Sequence, residues 1–272
     1  MFAKPRATRR LINMCTVTFI PRDAGYHLAM NRDEKWSRIA GLPPKQQFVD
    51  SHAVLFPSEP GGGTWISLND SGASFALINW YAVTARVAGQ GISRGEVVKT
   101  VSACTEAKWA EAALERLPLD QMNPFRLIGV FATGQKIREW RWDLKKLAGT
   151  SHRWKAQQWI SSGFDEATAQ QIRGKTFRAA QWDPASGSLD WLRCLHRSHS
   201  PHCGAFSTCV HRSDAGTVSY TEISVSAREG WMKYHPVAPC QAHSGFSYKL
   251  QIPVTAANQF RDSSRRLLRA AI

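Results

Sequence analysis

A chain of 272 residues, 43% hydrophobic and 21% charged, is long enough to bury one large core and has the composition of an ordinary globular protein. No run approaches the roughly eighteen apolar residues of a membrane helix, and no secretory apolar segment follows the N-terminus, so a transmembrane helix is excluded and a cytoplasmic protein expected. The formal net charge of +14 favours anionic partners, but no helix-turn-helix, zinc-finger or RNP pattern accompanies it. Phosphate- or carboxylate-bearing small molecules therefore stand ahead of any specific nucleic acid.

The opening segment MFAKPRATRRLIN holds four basic residues and no acid, and without it the chain still carries +10. It shows no strand pattern, and no turn joins it to the Cys15 strand. Residues 1–14 therefore read as a leader or a mis-assigned start, absent from the mature protein, with 15–272 as a single domain. CTVTFI (15–20) and YHLAMN (26–31) are two short runs around Pro21-Arg22-Asp23-Ala24-Gly25, a hairpin signature. Residues 41–63, with Leu42-Pro43-Pro44 and Glu59-Pro60-Gly61-Gly62-Gly63, read as a long loop. TWISLN (64–69) and ASFALIN (73–79) form a second hairpin over Asp70-Ser71-Gly72.

Ser93 to Leu117 is helical, with Val97, Val98, Val101, Trp109, Ala113 and Leu114 at helix spacing. FRLIGVFAT (125–133) and KIREWRWD (136–143) are a strand pair around Gly134. Asp165 to Trp182 is a second helical block with Asp165 as its cap, and LDWLRCLH is a short helical piece. FSTCVHR (206–212) and TVSYTEISV (217–225) read as a third hairpin, and RRLLRA after Pro253 as a basic peripheral helix. Hairpins with helical blocks between them predict an α+β domain: a four-layer αββα sandwich, two antiparallel sheets face to face with helices outside.

The six cysteines (15, 104, 194, 203, 209 and 240) are irregularly spaced and make no disulfide scaffold. Cys15 stands apart, because it directly follows Met14 on the first residue of a strand. Removal of that methionine would leave a thiol of pKa ~8.5 and an α-amine of ~7.7–8.0 on one residue. Nucleophile and base are then supplied together, and no separate histidine is needed.

MCTVTF followed by Asn31-Arg32-Asp33-Glu34, then GGGTWISLNDSGASFALINWY (61–81), resembles the NRDE family, also called the transport and Golgi organisation protein 2 family. Its beginning is similar to the choloylglycine hydrolases and penicillin V acylases of the N-terminal-nucleophile hydrolase superfamily. The resemblance implies Cys15 as the nucleophile, Asp33 as the group that holds its amine and thiol, and Asn79 as an oxyanion-hole donor. Arg32 is implied as the arginine beside that aspartate, although the order of residues differs from the choloylglycine hydrolases. The superfamily's later asparagine and arginine partners have no match. Read without the resemblance, Asp33 is equally a cap or a partner of Arg32 or Arg38, Asn79 a strand-end turn residue, and Cys15 a core filler.

Trp65 and Trp80 flank the Asn79 strand as candidate walls of an apolar acyl pocket. In HRSHSPHC (196–203), three histidines and a cysteine hint at a metal site, but Pro201 breaks the run and no second ligand cluster is evident in the sequence. The segment reads as a loop at the site's mouth, with His199 facing substrate; no metal and no cofactor is assigned. Two functions are consistent with these residues. One is a cysteine amidohydrolase or acyltransferase acting on a small-molecule amide or thioester, with an anionic substrate favoured by the charge, through acyl-Cys15. The other is a non-catalytic binder of an acyl-CoA, lipid or haem on the same fold.

Overall fold

The first two strands define the frame. In β1 (Met14–Arg22), Cys15, Val17 and Phe19 point one way and Thr16, Thr18 and Ile20 the other, and every one of these is buried. A strand covered on both faces belongs in the middle of a layered structure. It turns through Asp23-Ala24 into β2 (Gly25–Lys35). Gly25 has φ +112°, and a Cβ there would lie 1.9 Å from the Val225 carbonyl oxygen, so only glycine serves at this close approach. The computed structural model describes residues 14–242 and 245–252; the leader residues 1–13 and the helix expected after Pro253 lie outside them.

On the far side of β2 come β11 (Ala215–Val225), β12 (Glu229–His235) and β13 (Phe246–Gln251), while β10 (Gln157–Ser162) flanks β1, giving an antiparallel six-stranded sheet in the order β10-β1-β2-β11-β12-β13. The second sheet is a seven-stranded antiparallel meander: β3 (Leu42–Val49), β4 (His52–Ser58), β5 (Ile66–Asn69), β6 (Ala73–Asn79), β7 (Phe125–Phe131), β8 (Lys136–Trp142) and β9 (Leu147–His152). The sheets meet through Val17, Phe19, Leu28 and Met30 on one side and Leu55, Ile66, Leu68, Ile78 and Val130 on the other.

Helices α1 (Gly95–Val101) and α2 (Ala107–Glu115) cover the outside of the second sheet, burying Val97, Val98, Val101 and Leu114 against Phe75, Leu127 and Trp140. Helices α3 (Glu166–Ala180) and α4 (Leu189–Arg197) cover the first, burying Phe177, Trp191 and Leu195 against Ile20, Ala29 and Tyr220. The result is the expected αββα sandwich. Asp165 caps α3 by accepting from the Thr168 amide at 3.0 Å. The helical block 93–117 is split in two, and the carbonyls of Ser102 and Cys104 at the break accept from Asn69 Nδ2 at 3.0 and 3.1 Å.

Three expectations are corrected. Residues 41–63 are not one long loop, because β3 and β4 form a hairpin there. Its turn is Asp50-Ser51 with φ of 46° and 67°, a left-handed pair made without glycine. Pro43 and Pro44 fall in the register irregularity of β3, an edge strand where a missing N–H costs little. Nor does 206–212 form a hairpin arm: β12 takes that edge of β11 from Tyr220 onward, and beside Ala215–Thr217 the segment pairs only through a His211–Gly216 bridge, with the Ser207 hydroxyl turned onto the Gly204 and Cys209 carbonyls. Finally, the first strand begins one residue earlier than Cys15, with Met14 fully buried within β1.

Candidate active site

Cys15 points into the space between the sheets but lies at the end of β1, where that core gives way to a cavity of about 320 Å³. Cys15, Arg32, Asp33, Trp65 and Asn79 all line it. The thiol is pushed up to about 12, first by burial and then by the charge of Asp33, against a hydrogen bond from the Asp33 backbone. A thiol in this state is a poor nucleophile until something nearby takes its proton.

Asp33 lies on β2, directly across from Met14, and Cys15 lies across from Arg32. Thr217, its neighbour on β11, donates to Oδ1 at 2.6 Å. A bulge comes at once between Thr217 and Ser219, the kind of irregularity that re-aims a side chain next to a site. On the other side, Nη1 of Arg173 from α3 stands 3.7 Å from Oδ2. Arg173 is itself fully buried and donates to Thr16 Oγ1 at 2.8 Å and to the Ala205 carbonyl at 3.2 Å. Burial raises the Asp33 carboxyl to about 7, while Arg173 and Thr217 pull it down. Oδ2 accepts no hydrogen bond within the described residues, an unusual state for a buried carboxylate oxygen.

Asn79 ends β6 and donates from Nδ2 to the Tyr81 hydroxyl at 2.7 Å. A side-chain amide has two such donors, so this bond fixes the amide plane while leaving a second N–H on the same nitrogen. The cavity rim is ionic. Arg32 pairs with Glu59 at 2.6 Å and Glu34 at 3.2 Å, with its guanidinium 4.4 Å from the centre of the Trp65 ring. Arg38 pairs with the same two carboxylates. Arg94 also lines the cavity; it donates to the Pro124 carbonyl at 3.2 Å and, among the described residues, forms no salt bridge.

Two of the residues selected from sequence fall elsewhere. Trp80 does not line the cavity; its backbone N–H donates to Pro124 and its ring sits beside Arg141. The side chain after Asn79 on an extended chain turns to the other face. His199 is not at the mouth either. It packs against His211 in a separate cluster with Cys209 and Cys240. His196 is a buried core histidine bonded to Asn31 and Thr18, with its pKa lowered to about 3 by burial and by Arg173.

Arg173, Thr217, Tyr81 and Arg94 were not singled out from sequence. Arg173 had a visible signal: it falls between Ala169 and Phe177 at a spacing of four, a cation on the buried stripe of α3, and such a charge is kept in a core only with a partner. Thr217 carried none, since its role depends on β11 pairing with β2.

Among solved structures, the chain is similar to a mutant of conjugated bile acid hydrolase from Clostridium perfringens, with 11% identity, a TM-score of 0.55, and coverage of 86% of this chain and 92% of that one. It also aligns with penicillin V acylase from Agrobacterium tumefaciens at 10% identity and a TM-score of 0.47, covering 88% and 86%. At such identity the first likeness concerns the fold, which is that of the N-terminal-nucleophile hydrolases. No curated protein matches the sequence, and no helix among the described residues is long and apolar enough to cross a membrane. A profile of the Transport and Golgi organisation 2 family matches residues 14–174, more than half of the chain, and the protein belongs to that family.

Proposed function

We propose that this protein is an N-terminal-nucleophile cysteine hydrolase, or acyltransferase, that cuts a small-molecule amide or thioester through an acyl-Cys15 intermediate. The observation that carries this reading is the common cavity of Cys15, Asp33 and Asn79. In the active form the chain begins at Cys15, after loss of residues 1–14. The free α-amine, ordinarily near pKa ~7.7–8.0, takes the thiol proton. The thiolate adds to the substrate carbonyl, and the Asn79 amide donates to the oxyanion. Collapse expels the amine or thiol, which leaves with the proton held by the Cys15 ammonium. Water then attacks the thioester with the amine again as base, releasing the acid and the free thiol.

Asp33 serves by orientation. Its Oδ2 is an acceptor without a hydrogen bond, on the residue facing Met14, and suits an ammonium at the start of β1. Burial and the competing Arg173 limit how firmly this carboxylate holds the ammonium, so the amine can still give up its proton. Arg94 is the rim cation best suited to a carboxylate on the substrate.

The test uses a chain beginning at Cys15, incubated with a panel of N-acyl amides and acyl thioesters, with and without a carboxylate. An acyl adduct on the Cys15 peptide by mass spectrometry, absent in Cys15→Ala, supports the reading. Turnover that persists in Cys15→Ala, or a panel that leaves no adduct and no product, overturns it. A non-catalytic binder is the second reading, favoured by one observation: with Met14 buried in β1 and the thiol raised to about 12, Cys15 in an internal peptide has no base. Native protein that retains Met14 decides for the binder.

A further inference from the structure

Away from the cavity, four side chains from three stretches of the chain converge. They are His199, in the loop after α4; Cys209 and His211, before β11; and Cys240, after β12. One ligand atom from each lies within 4.8 Å of every other. Cys209 Sγ is 3.6 Å from Cys240 Sγ and 3.5 Å from His211 Nε2, and Cys240 Sγ is 3.3 Å from His211 Nε2. The His199 and His211 rings meet edge to face, with centroids 4.9 Å apart.

These separations can be compared with a tetrahedron. Zinc binds thiolate at about 2.3 Å and imidazole at about 2.0–2.1 Å, which makes the S···S edge roughly 3.8 Å and the S···N edge roughly 3.6 Å. The three measured edges are within about 0.3 Å of these values. Thiols make weak hydrogen bonds, so hydrogen bonding alone is a poor reason for two of them and two imidazoles to share one point. His199 Nε2 adds an independent sign, because it is buried with no hydrogen-bond partner. Among the described residues no carboxylate joins the group, and an S₂N₂ donor set selects zinc over the hard cations.

The geometry points to a closed structural zinc site formed by His199, Cys209, His211 and Cys240. Binding displaces one proton from each thiol. The two thiolates balance the two charges of the ion, both imidazoles bind neutral, and no electron is transferred. All four positions are filled by protein, which is the pattern of a structural rather than a catalytic zinc. The backbone is already arranged for it: the Cys209 amide donates to Ser198 at 3.0 Å and the Thr217 amide to Val210 at 2.9 Å, while Gln241 closes a turn onto Ala238 at 2.9 Å.

The site would pin the 198–214 loop to the turn after β12. That loop supplies the Ala205 carbonyl to Arg173 and the Thr208 carbonyl to Asn31. Through Arg173, the zinc steadies the partner of Asp33.

The test is metal analysis of the full chain purified without chelator, together with a cobalt spectrum of chelator-stripped protein reloaded with Co²⁺. One equivalent of zinc per chain is expected, and tetrahedral cobalt bands with thiolate charge transfer. Cys240→Ser and His199→Asn should each lose most of the zinc and lower the melting temperature. His202→Asn and Cys203→Ser, which are close in sequence but outside the cluster, should keep both. Protein without zinc whose cobalt spectrum lacks thiolate charge transfer overturns the site. So does a Cys209–Cys240 disulfide in protein purified under reducing conditions, or equal zinc loss in the His202 and Cys203 variants.

Discussion

Met14 and Asp33 face each other across β1 and β2, so the residue that must leave to expose the Cys15 amine sits opposite the carboxyl that would receive it. Met14 is fully buried there, its sulfur 3.9 Å from Arg173 Nη2. Its loss would replace an uncharged peptide and thioether by an ammonium beside an acceptor. A chain beginning at Cys15 should therefore turn over an N-acyl substrate, while one that keeps residues 1–14 should be slower by about 10²–10⁴, the usual worth of a positioned base. Matched rates from purified chains of both forms would remove the amine from the mechanism.

Asn79 offers a cleaner separation of binding from chemistry. Its amide is oriented by Tyr81 at 2.7 Å, and an oxyanion donor acts mainly when charge develops. Asn79→Ala should lower kcat by about 10²–10³ with little change in KM. Tyr81→Phe, which frees the amide to rotate, should cost less. A raised KM at constant kcat in Asn79→Ala would make the residue a substrate contact instead.

Arg94→Gln should act the other way. If the substrate carries a carboxylate, KM rises for that substrate and kcat/KM for an uncharged analogue is nearly unchanged. Equal losses on both analogues would remove Arg94 as the anion contact.

Local signals made much of this legible from sequence, and long-range pairing hid the rest. The β1–β2 and β5–β6 hairpins are written in alternating runs around short turns, and the α3 cap in Asp165 and Thr168. The β3–β4 hairpin was missed because its left-handed turn uses Asp50 and Ser51 and its first strand opens on two prolines. FSTCVHR alternates like a strand, but beyond the His211–Gly216 bridge β12 takes that edge of β11 from Tyr220 onward. The cavity residues Cys15, Asp33 and Asn79 sit in motifs, whereas Thr217 reaches Asp33 across 184 residues. The partners of His199 were hidden for the same reason, since Cys240 is brought to it only by the course of β12.

Stability against pH should reveal two opposed buried groups. The pKa of His196 falls from 6.5 to about 3 on burial, so its contribution is present above pH 6.5 and lost as pH drops toward 3. Asp33 rises from 3.8 to about 7, so its contribution is present below pH 3.8 and lost as pH climbs through 7. Each shift is worth on the order of 4 kcal/mol across the window, and they largely cancel. His27, lowered to about 4 by burial, tips the balance toward acid destabilisation. In urea titrations from pH 4 to 7, Asp33→Asn should steepen the loss toward acid, and His196→Gln should flatten or reverse it. Parallel curves for all three proteins would mean that neither group is perturbed.

The Asp33–Arg173 pair is fully buried on both sides, which makes its removal asymmetric. Arg173→Met takes away the cation that lowers the Asp33 carboxyl, and the carboxyl then rises further above 7 and is protonated at neutral pH. Breaking one side of a buried pair typically costs about 3–5 kcal/mol, and protonation of Asp33 should hold this loss to the lower end. Asp33→Asn imitates the protonated carboxyl that the fold already favours below pH 7, and Arg173 keeps its bonds to Thr16 and the Ala205 carbonyl. It should therefore be the less costly single change. Removing both leaves neither charge exposed to the core, so Asp33→Asn with Arg173→Met should lose clearly less than the sum of the two, by at least about 1 kcal/mol of coupling. Activity should not follow stability: the double variant regains the fold but has lost the acceptor for the Cys15 ammonium, and stays slow. Strictly additive losses in denaturant would show that the two side chains do not sense each other at 3.7 Å.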